Sequence, residues 1–548
     1  LSQTPRQRAL AALANETFDL VVVGGGITGC GIARDAALRG LKVALIEKLD
    51  FASGTSSKSS KLVHGGLRYL EQAEFKLVFE SVSERKLLMS RARHLVRPMP
   101  FLVTHFKGDR RWLVTLDLGL WIYDALCLFG SYRNHKTYGK TRTLKLEPAL
   151  KQNGLTGGIL YYDCVTDDAR LTLENAIDAS ALGATIVNHV RAGALLRDAS
   201  GRIAGLTAHD EDPAGNDAGF DIRAKLVVNA TGPWSDEVRA MNDEKPILTP
   251  TKGVHIVLDA KRLPVRNALM MLGPRDGRAV FAIPWGLGRT VIGTTDTFFN
   301  GKLDDVHADR ADAEYLLEIG NHYFPESKLV LSDVLATWSG LRPLLKPDQE
   351  GVGASQVSRE HMLFEKPGFL TIAGGKLTTY RRIAFEVVDK AMEQLGQKKA
   401  SETQDRFLPG AVGLESDEQL AALAAPLVTQ GISAAAAEHL ANTFGTRSAA
   451  VAARVKADPS CAEPLDAELP YLTAQVDEAI ENEFARTLDD VLTRRIPLVL
   501  RGRDQGLGIA EKVAARLQKK LGWSDALTAS ELAGYRAVVA ASRKFRDS

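Results

Sequence analysis

Apolar and polar positions follow two periods along the chain, and their alternation outlines its elements. An uninterrupted apolar run at residues 20–23 is a buried parallel strand; it stops at Gly24-Gly25-Gly26-Ile27-Thr28-Gly29, and a helical pattern then runs to about Arg39-Gly40. Residues 42–46 form a second strand that ends on Glu47. A long helical pattern covers residues 74–94. Residues 157–162 read as a strand, a helix opens at Asp167-Asp168-Ala169-Arg170 with its acids at the favourable end of the dipole, and residues 185–187 are a short strand. Residues 195–222 have the pattern of a hairpin, and residues 225–229 are a buried strand leading into Ala230-Thr231-Gly232-Pro233-Trp234-Ser235. Between residues 251 and 365 apolar and polar positions mostly alternate with Gly/Pro turns, the mark of antiparallel sheet. A last parallel strand, 368–373, turns through Gly374-Gly375-Lys376-Leu377-Thr378 into a helix, and beyond about Lys398 alanine-rich helical patterns dominate. No internal repeat is evident. The order predicts an α/β chain: a Rossmann-like domain (16–97, 155–245 and 366–398), an inserted antiparallel-sheet domain (98–154 and 246–365) and a C-terminal helical domain (399–548).

The first strand–turn–helix unit has the chemistry of a dinucleotide site. Gly24 allows the tight turn, Gly26 lets backbone approach a pyrophosphate, and Gly29 lets the helix pack close to the strand. The helix N-terminus offers N–H groups to phosphate, and Glu47 can accept from ribose hydroxyls. FAD and NAD both use this unit. After Glu47 the chain is dense in Ser, Thr and Gly and carries a second glycine pair, Gly65-Gly66, flanked by His64 and Arg68-Tyr69. Small residues beside a nucleotide let backbone donors reach it.

Composition narrows the classes. With 548 residues the chain can hold two or three domains, and 69 Lys+Arg against 67 Asp+Glu give no electrostatic reason to expect nucleic acid. The four cysteines, Cys30, Cys127, Cys164 and Cys461, form no CxxC pair, so free thiols and no metal site are expected. The first residues lack the apolar core of a secretory signal, and no stretch reaches the roughly 18 uninterrupted apolar residues of a spanning helix. A soluble or peripherally bound protein is expected. Residues 112–129, WLVTLDLGLWIYDALCLF, are notably apolar and follow Lys107, Arg110 and Arg111, but Asp117 and Asp124 make them unfit to span a bilayer. Two readings stand: a buried helix of the inserted domain, or an amphipathic helix dipping into a membrane interface. Pattern alone favours burial.

GTSSKSSKLVHGGLRYLE after GGGITG resembles the FAD-dependent glycerol-3-phosphate dehydrogenases, flavoproteins of the D-amino-acid-oxidase fold group, and the resemblance runs down most of the chain. It implies FAD rather than NAD, with the Ser/Thr/Gly segment lying along the flavin. The cofactor residues it implies are Gly24, Gly26, Thr28, Gly29, Glu47, Lys48, Thr55, Ser56, Ser57, Ser59, His64, Gly65, Gly66 and Leu67. To these it adds Ala230, Thr231 and Gly232 at a strand end, and Gly375, Lys376, Leu377 and Thr378 at the second glycine turn. There a helix N-terminus can stabilise negative charge on reduced flavin. The resemblance further implies oxidation of sn-glycerol 3-phosphate to dihydroxyacetone phosphate, quinone as acceptor, and peripheral attachment to the cytoplasmic face of the cell membrane. It leaves a homodimer open. The Asp-rich calcium loop of mitochondrial relatives is absent, so no Ca²⁺ regulation is expected, and no functional residue is carried over to the C-terminal domain.

Oxidising a secondary alcohol on flavin needs a base at the hydroxyl and, for this substrate, cations at the phosphate. His255, in Thr251-Lys252-Gly253-Val254-His255-Ile256, is the candidate base; a polar residue on a half-exposed strand is the plain alternative. Arg342 and Arg359 match the family's phosphate-binding arginines, since guanidinium groups give bidentate, permanent charge. Arg68, Tyr69 and Lys376 match further substrate-facing positions, and His255, Arg342 and Lys376 make up the catalytic set. After Arg342-Pro343 the chain reads Leu344-Leu345-Lys346, where relatives are often more polar. The rivals are a glycerol-3-phosphate oxidase using O₂ and producing H₂O₂, an amine or amino-acid oxidase of the same fold, and a flavin-bearing, membrane-recruited protein without turnover.

Overall fold

The computed structural model describes residues 3–66, 74–109, 113–126, 132–215, 219–347 and 360–547. Two sheets organise them. In the first, of eight strands, Thr17–Val23 lies between Val43–Ile46 and Gly219–Asn229, and the parallel set continues to Thr185–Val187 on one side and Phe369–Gly374 on the other. Successive residues of the first strand feed opposite layers. Leu20 and Val22 pack with Ile32, Ala36, Leu173 and Val387 of the helices Ile27–Leu38, Asp168–Ala181 and Tyr380–Gln394, whereas Val21 and Val23 pack with Ile203, Leu206 and Ile222. Burial on both faces is why these strands read as unbroken apolar runs.

The second sheet has ten strands, among them Leu248–Asp259, Ala279–Pro284, Arg289–Gly293 and Val334–Leu345. It also takes Leu155–Val165, which the sequence reading joined to the nucleotide-binding part. That strand pairs along its whole length with Arg97–Phe106, where no strand was foreseen, and only the following helix Asp168–Ala181 returns to the first sheet. Pro98 and Pro100 hid the partner. They are tolerated because the second neighbour, Ala268–Leu272, pairs only from Phe101 onward. The helix foreseen at 74–94 spans Phe75–Arg91, and the apolar segment 112–129 holds a helix at Leu113–Leu126.

The C-terminal region is helical, as its composition predicts, but it shares a core with the second sheet. Leu498, Val499 and Tyr535 pack with Val257, Val291, Ala336 and Trp338. Buried ion pairs bind it to the nucleotide-binding part: Arg494 and Arg495 both donate to Asp50, and Arg170 pairs Glu483 through two bonds of 2.6 and 2.7 Å. Among the described residues no helix is long and apolar enough to cross a membrane.

Candidate active site

The first glycine turn is built for close approach. Gly24 has φ +110°, and a Cβ there would stand 2.7 Å from the carbonyl oxygen of Ala230, whose own N–H donates to Val23 O at 2.9 Å. A Cβ on Gly29 would overlap Gly24 O. Gly26 occupies the N-cap of Ile27–Leu38 with no side-chain cap; Thr28 is half-buried in the first turn, and the Ile27 N–H donates to Ser56 Oγ at 2.9 Å. Glu47 closes the turn from the second strand, its carboxylate accepting from the N–H of Gly25 (2.6 Å) and of Leu49 (2.9 Å). Burial raises its pKa, and the two N–H groups oppose that shift. Lys48 turns to Asp304 at 2.8 Å and lies 4.5 Å from the centre of the Trp234 ring, just past Thr231 and Gly232.

The second glycine turn meets the Ser/Thr/Gly segment. Gly374 and Gly375, both at positive φ, lead to Lys376 at the N-cap of a short 3₁₀ turn, Leu377–Thr379, that continues into Tyr380–Gln394. The His64 N–H donates to Thr378 Oγ1 at 3.3 Å, and that hydroxyl donates back to His64 O at 3.4 Å. Next to it, the Gly65 N–H is shared between Tyr123 OH (3.1 Å) and Asp163 Oδ1 (3.2 Å). Gly66 is buried at the last described position of the segment. Leu67, Arg68, Tyr69 and Arg359 lie outside the described residues.

Between the sheets, the paired strands Leu248–Asp259 and Val334–Leu345 present one face to residues 55–61. In register, His255 opposes Trp338, Gly253 opposes Gly340 and Thr251 opposes Arg342, so all six share that face. The glycine pair leaves the middle bare. A Cβ at Gly340 would stand 2.6 Å from Lys58 O, and one at Gly253 would stand 2.8 Å from Arg342 Cζ. Thr55 Oγ1 donates to Leu341 O at 2.6 Å, and Trp338 Nε1 donates to Ser59 O at 3.1 Å. Arg342 folds back across Gly253, donating to Thr294 Oγ1 (3.1 Å), Thr295 O (3.2 Å) and Asp296 Oδ1 (3.1 Å).

His255 is 2 % exposed. Its Nε2 is 2.8 Å from Ser60 Oγ, and its ring stacks on Trp338 at 4.7 Å and 10°. On the other neighbouring strand stands Gly293, where a Cβ would overlap the imidazole. Burial first, then the charges of Arg342 and Lys61, hold its pKa well below the usual histidine value. It is a neutral imidazole at physiological pH.

A family model described as FAD dependent oxidoreductase matches residues 19–381, and one described as the C-terminal domain of alpha-glycerophosphate oxidase matches residues 401–528. The aerobic glycerol-3-phosphate dehydrogenase of Staphylococcus haemolyticus is 38% identical over 511 residues, 90% of this chain and 89% of that one. Glycerol-3-phosphate dehydrogenase 2 of Mycobacterium bovis is 39% identical over 550 residues, covering 98% and 91%. The chain belongs to the FAD-dependent glycerol-3-phosphate dehydrogenase family. The solved structure of the Bacillus halodurans glycerol-3-phosphate dehydrogenase complexed with FAD superposes with a TM-score of 0.83 at 30% identity, over 99% of this chain and 98% of that one.

The donor set fits the family's cofactor: an N-cap without a side-chain cap, a half-buried carboxylate at the end of the second strand, and a turn kept tight by Gly24 and Gly29, where any side chain would strike backbone. The site also contains residues that sequence reasoning passed over. Ser60 holds the imidazole, and Trp338 stacks on it. Lys61 is buried with its ammonium 2.6 Å from Asp168 Oδ1 and 2.9 Å from Ser57 O, and Asp168 also accepts from Ser59 Oγ at 2.7 Å. This pair pins the Ser/Thr segment to the helix Asp168–Ala181. Ser60 and Lys61 stood in plain sight inside TSSKSSK; the partners that give them a purpose lie more than a hundred residues away.

Proposed function

We propose that the enzyme oxidises sn-glycerol 3-phosphate to dihydroxyacetone phosphate and passes the electrons to membrane quinone, with His255 as the base. The observation that carries this reading is a buried, neutral imidazole fixed on both sides and sharing one sheet face with Arg342. The Ser60 contact is compatible with Nε2–H donating to Ser60 Oγ; in that tautomer, the one a base needs here, the lone pair sits on Nδ1, which has no hydrogen-bond partner among the described residues. Nδ1 takes the proton of the C2 hydroxyl. Desolvation by Trp338 and the strand pair keeps it unprotonated and ready to do so.

Arg342 binds the substrate phosphate, together with Arg359, while Arg68, Tyr69 and Lys376 orient the glycerol. Asp296 and Thr294 hold the Arg342 guanidinium in one pose before substrate arrives, which lowers the ordering cost of binding. Gly24, Gly26, Thr28 and Gly29 would hold FAD at its pyrophosphate and Glu47 and Lys48 at its adenosine end, with Ala230, Thr231 and Gly232 beside it. Thr55, Ser56, Ser57, Ser59, His64, Gly65, Gly66, Leu67 and the run Gly375, Lys376, Leu377, Thr378 would hold its flavin end. Bound there, FAD supplies the acceptor for the hydrogen and electron pair that leave C2.

Membrane contact is supported by the helix Leu113–Leu126. It exposes Val114 (77 %), Leu118 (61 %) and Trp121 (51 %), with Ile122 beside them, at the spacing of one helical stripe. The touching helix Phe75–Arg91 exposes Phe75 and Phe79. An apolar stripe that large, on a helix that follows Lys107 in the sequence, suits an interface where quinone is dissolved. We assign the attachment to the cytoplasmic face of the cell membrane; a homodimer is compatible with this arrangement. Replacing His255 by Ala tests the base: flavin reduction at saturating substrate should slow by about 10²–10⁴-fold, and reduction at the wild-type rate would remove His255 from the role.

A further inference from the structure

We propose that Arg501, in the C-terminal helical region, is a positioning residue for His255 and acts through a file of neighbouring aromatic rings. The inference rests on the reading of His255 as the base. The file starts at the imidazole. Trp338 stacks on it at 4.7 Å and 10°; Trp285 follows at 5.6 Å from Trp338, tilted by 43°; and the guanidinium carbon of Arg501 lies 3.6 Å from the centre of the Trp285 ring. At 3.6 Å the guanidinium is in van der Waals contact with the indole, and the ring quadrupole draws the cation to its face.

Arg501 is itself fixed from two directions. Its Nη1 donates to Trp285 O at 3.0 Å and to Gly286 O at 3.3 Å, so it holds the backbone that carries the indole as well as the ring. Its carbonyl oxygen accepts from Arg289 Nε at 2.7 Å. Arg289 opens the strand Arg289–Gly293, whose last residue is the glycine beside the imidazole. Thus one residue grips both the ring file and the strand flanking His255. Among the described residues Arg501 makes no salt bridge; its partners are carbonyl oxygens and a π face. An arginine placed only to join two domains would be expected to meet a carboxylate, as Arg494 and Arg495 of the same region do and as Arg170 does from the nucleotide-binding side.

At the near end, Lys61 Nζ is 5.2 Å from the Trp338 ring centre and 5.8 Å from that of Trp285, so the two indoles sit between a cation of the flavin segment and a cation of the C-terminal region. Loosening the far cation frees Trp285, then Trp338, and the imidazole loses the surface that sets its angle. Misplacing a reacting group by about 1 Å can cost up to 10²-fold in rate, and the phosphate-binding Arg342 is not part of the ring file.

The test uses flavin-loaded full-length enzyme and a double-mutant cycle of Arg501→Met with His255→Ala, with Arg501→Lys as the conservative variant. Anaerobic flavin reduction is followed against glycerol 3-phosphate concentration. Arg501→Met should lower the limiting rate about tenfold and leave the half-saturating concentration within about twofold; Arg501→Lys should recover part of the rate. In the His255→Ala background Arg501→Met should change almost nothing. A wild-type rate in Arg501→Met, or an equal fall in both backgrounds, overturns the proposal. A wild-type rate in His255→Ala alone would overturn the base assignment instead, and the proposal with it. Should Arg501→Met not retain flavin, Trp285→Phe is put through the same cycle and must show the same dependence on His255.

Discussion

Replacing Gly253 by Ala should loosen the phosphate clamp and leave the fold intact. The added Cβ would stand 2.7 Å from Thr294 Oγ1 and 2.8 Å from Arg342 Cζ. Ordinary carbon contacts are about 3.5–4.0 Å, so the guanidinium must retreat by about 1 Å. It can, because the displaced atoms end a flexible side chain. Retreat breaks the bonds to Thr294, Thr295 and Asp296 that set its pose. One charge-assisted hydrogen bond is worth about 1.5–3 kcal/mol, so losing its alignment with phosphate should weaken substrate binding about 10- to 100-fold. The cross-strand partner gives the contrast. At Gly340 the Cβ would meet the backbone of Lys58 at 2.6 Å, and that backbone belongs to the segment we assign to the flavin. Gly340→Ala should therefore lose flavin, while Gly253→Ala keeps it. Flavin content after purification and the substrate dependence of anaerobic reduction measure both. Wild-type affinity in Gly253→Ala, or flavin lost there and retained in Gly340→Ala, would refute the reasoning.

Other consequences follow from single contacts. Arg342→Ala should raise the half-saturating concentration of glycerol 3-phosphate at least as much as Gly253→Ala does, and unchanged steady-state constants would sink the clamp. Burial alone would raise the pKa of Glu483, but Arg170 and Arg447 outweigh it and lower it to about 2. Because the folded-state value is depressed, this stability is present above about pH 4.5 and is lost as pH falls towards 2; it amounts to on the order of 3 kcal/mol. Urea unfolding at pH 6 and pH 3.5 should show a steeper acid loss in wild type than in Glu483→Gln, and parallel losses would contradict the assignment. Replacing Leu118 and Trp121 together by Ser should reduce flotation with anionic vesicles, and undiminished flotation would place the membrane contact elsewhere.

What could be read from the sequence was whatever is local. Strand, glycine turn, helix and closing carboxylate lie within thirty residues, so spacing alone predicts Gly24, Gly26, Gly29 and Glu47, and the structure brings them together. Some local signals went unread. Thr4-Pro5 with Gln7 is a capping box that opens the helix Pro5–Asn15, and Asp309 with Asp312 caps Arg310–Tyr323 inside what reads as sheet. The rest was not local. Gly253 and Gly340 become a bare patch only once their strands pair, and Lys61 becomes buried only against Asp168, 107 residues away. The C-terminal helices were legible as helices, yet their alanine pattern says nothing of Arg494 and Arg495 reaching Asp50 or of Arg501 reaching Trp285. The exposed stripe on Leu113–Leu126 runs against the pattern-based preference for burial, because its opposite face, with Leu120 and Tyr123, already fills the core.

The central claim is that glycerol 3-phosphate reduces the bound flavin and that quinone takes the electrons. The direct measurement is anaerobic mixing of the flavin-loaded enzyme with sn-glycerol 3-phosphate and, separately, with glycerol, following the oxidised-flavin absorbance before a quinone analogue or air is admitted. The account predicts bleaching by the phosphate ester alone, reversed fast by quinone and slowly by air. Fast reversal by air would make the enzyme an oxidase, and no bleaching of a flavin-loaded sample would contradict the account outright.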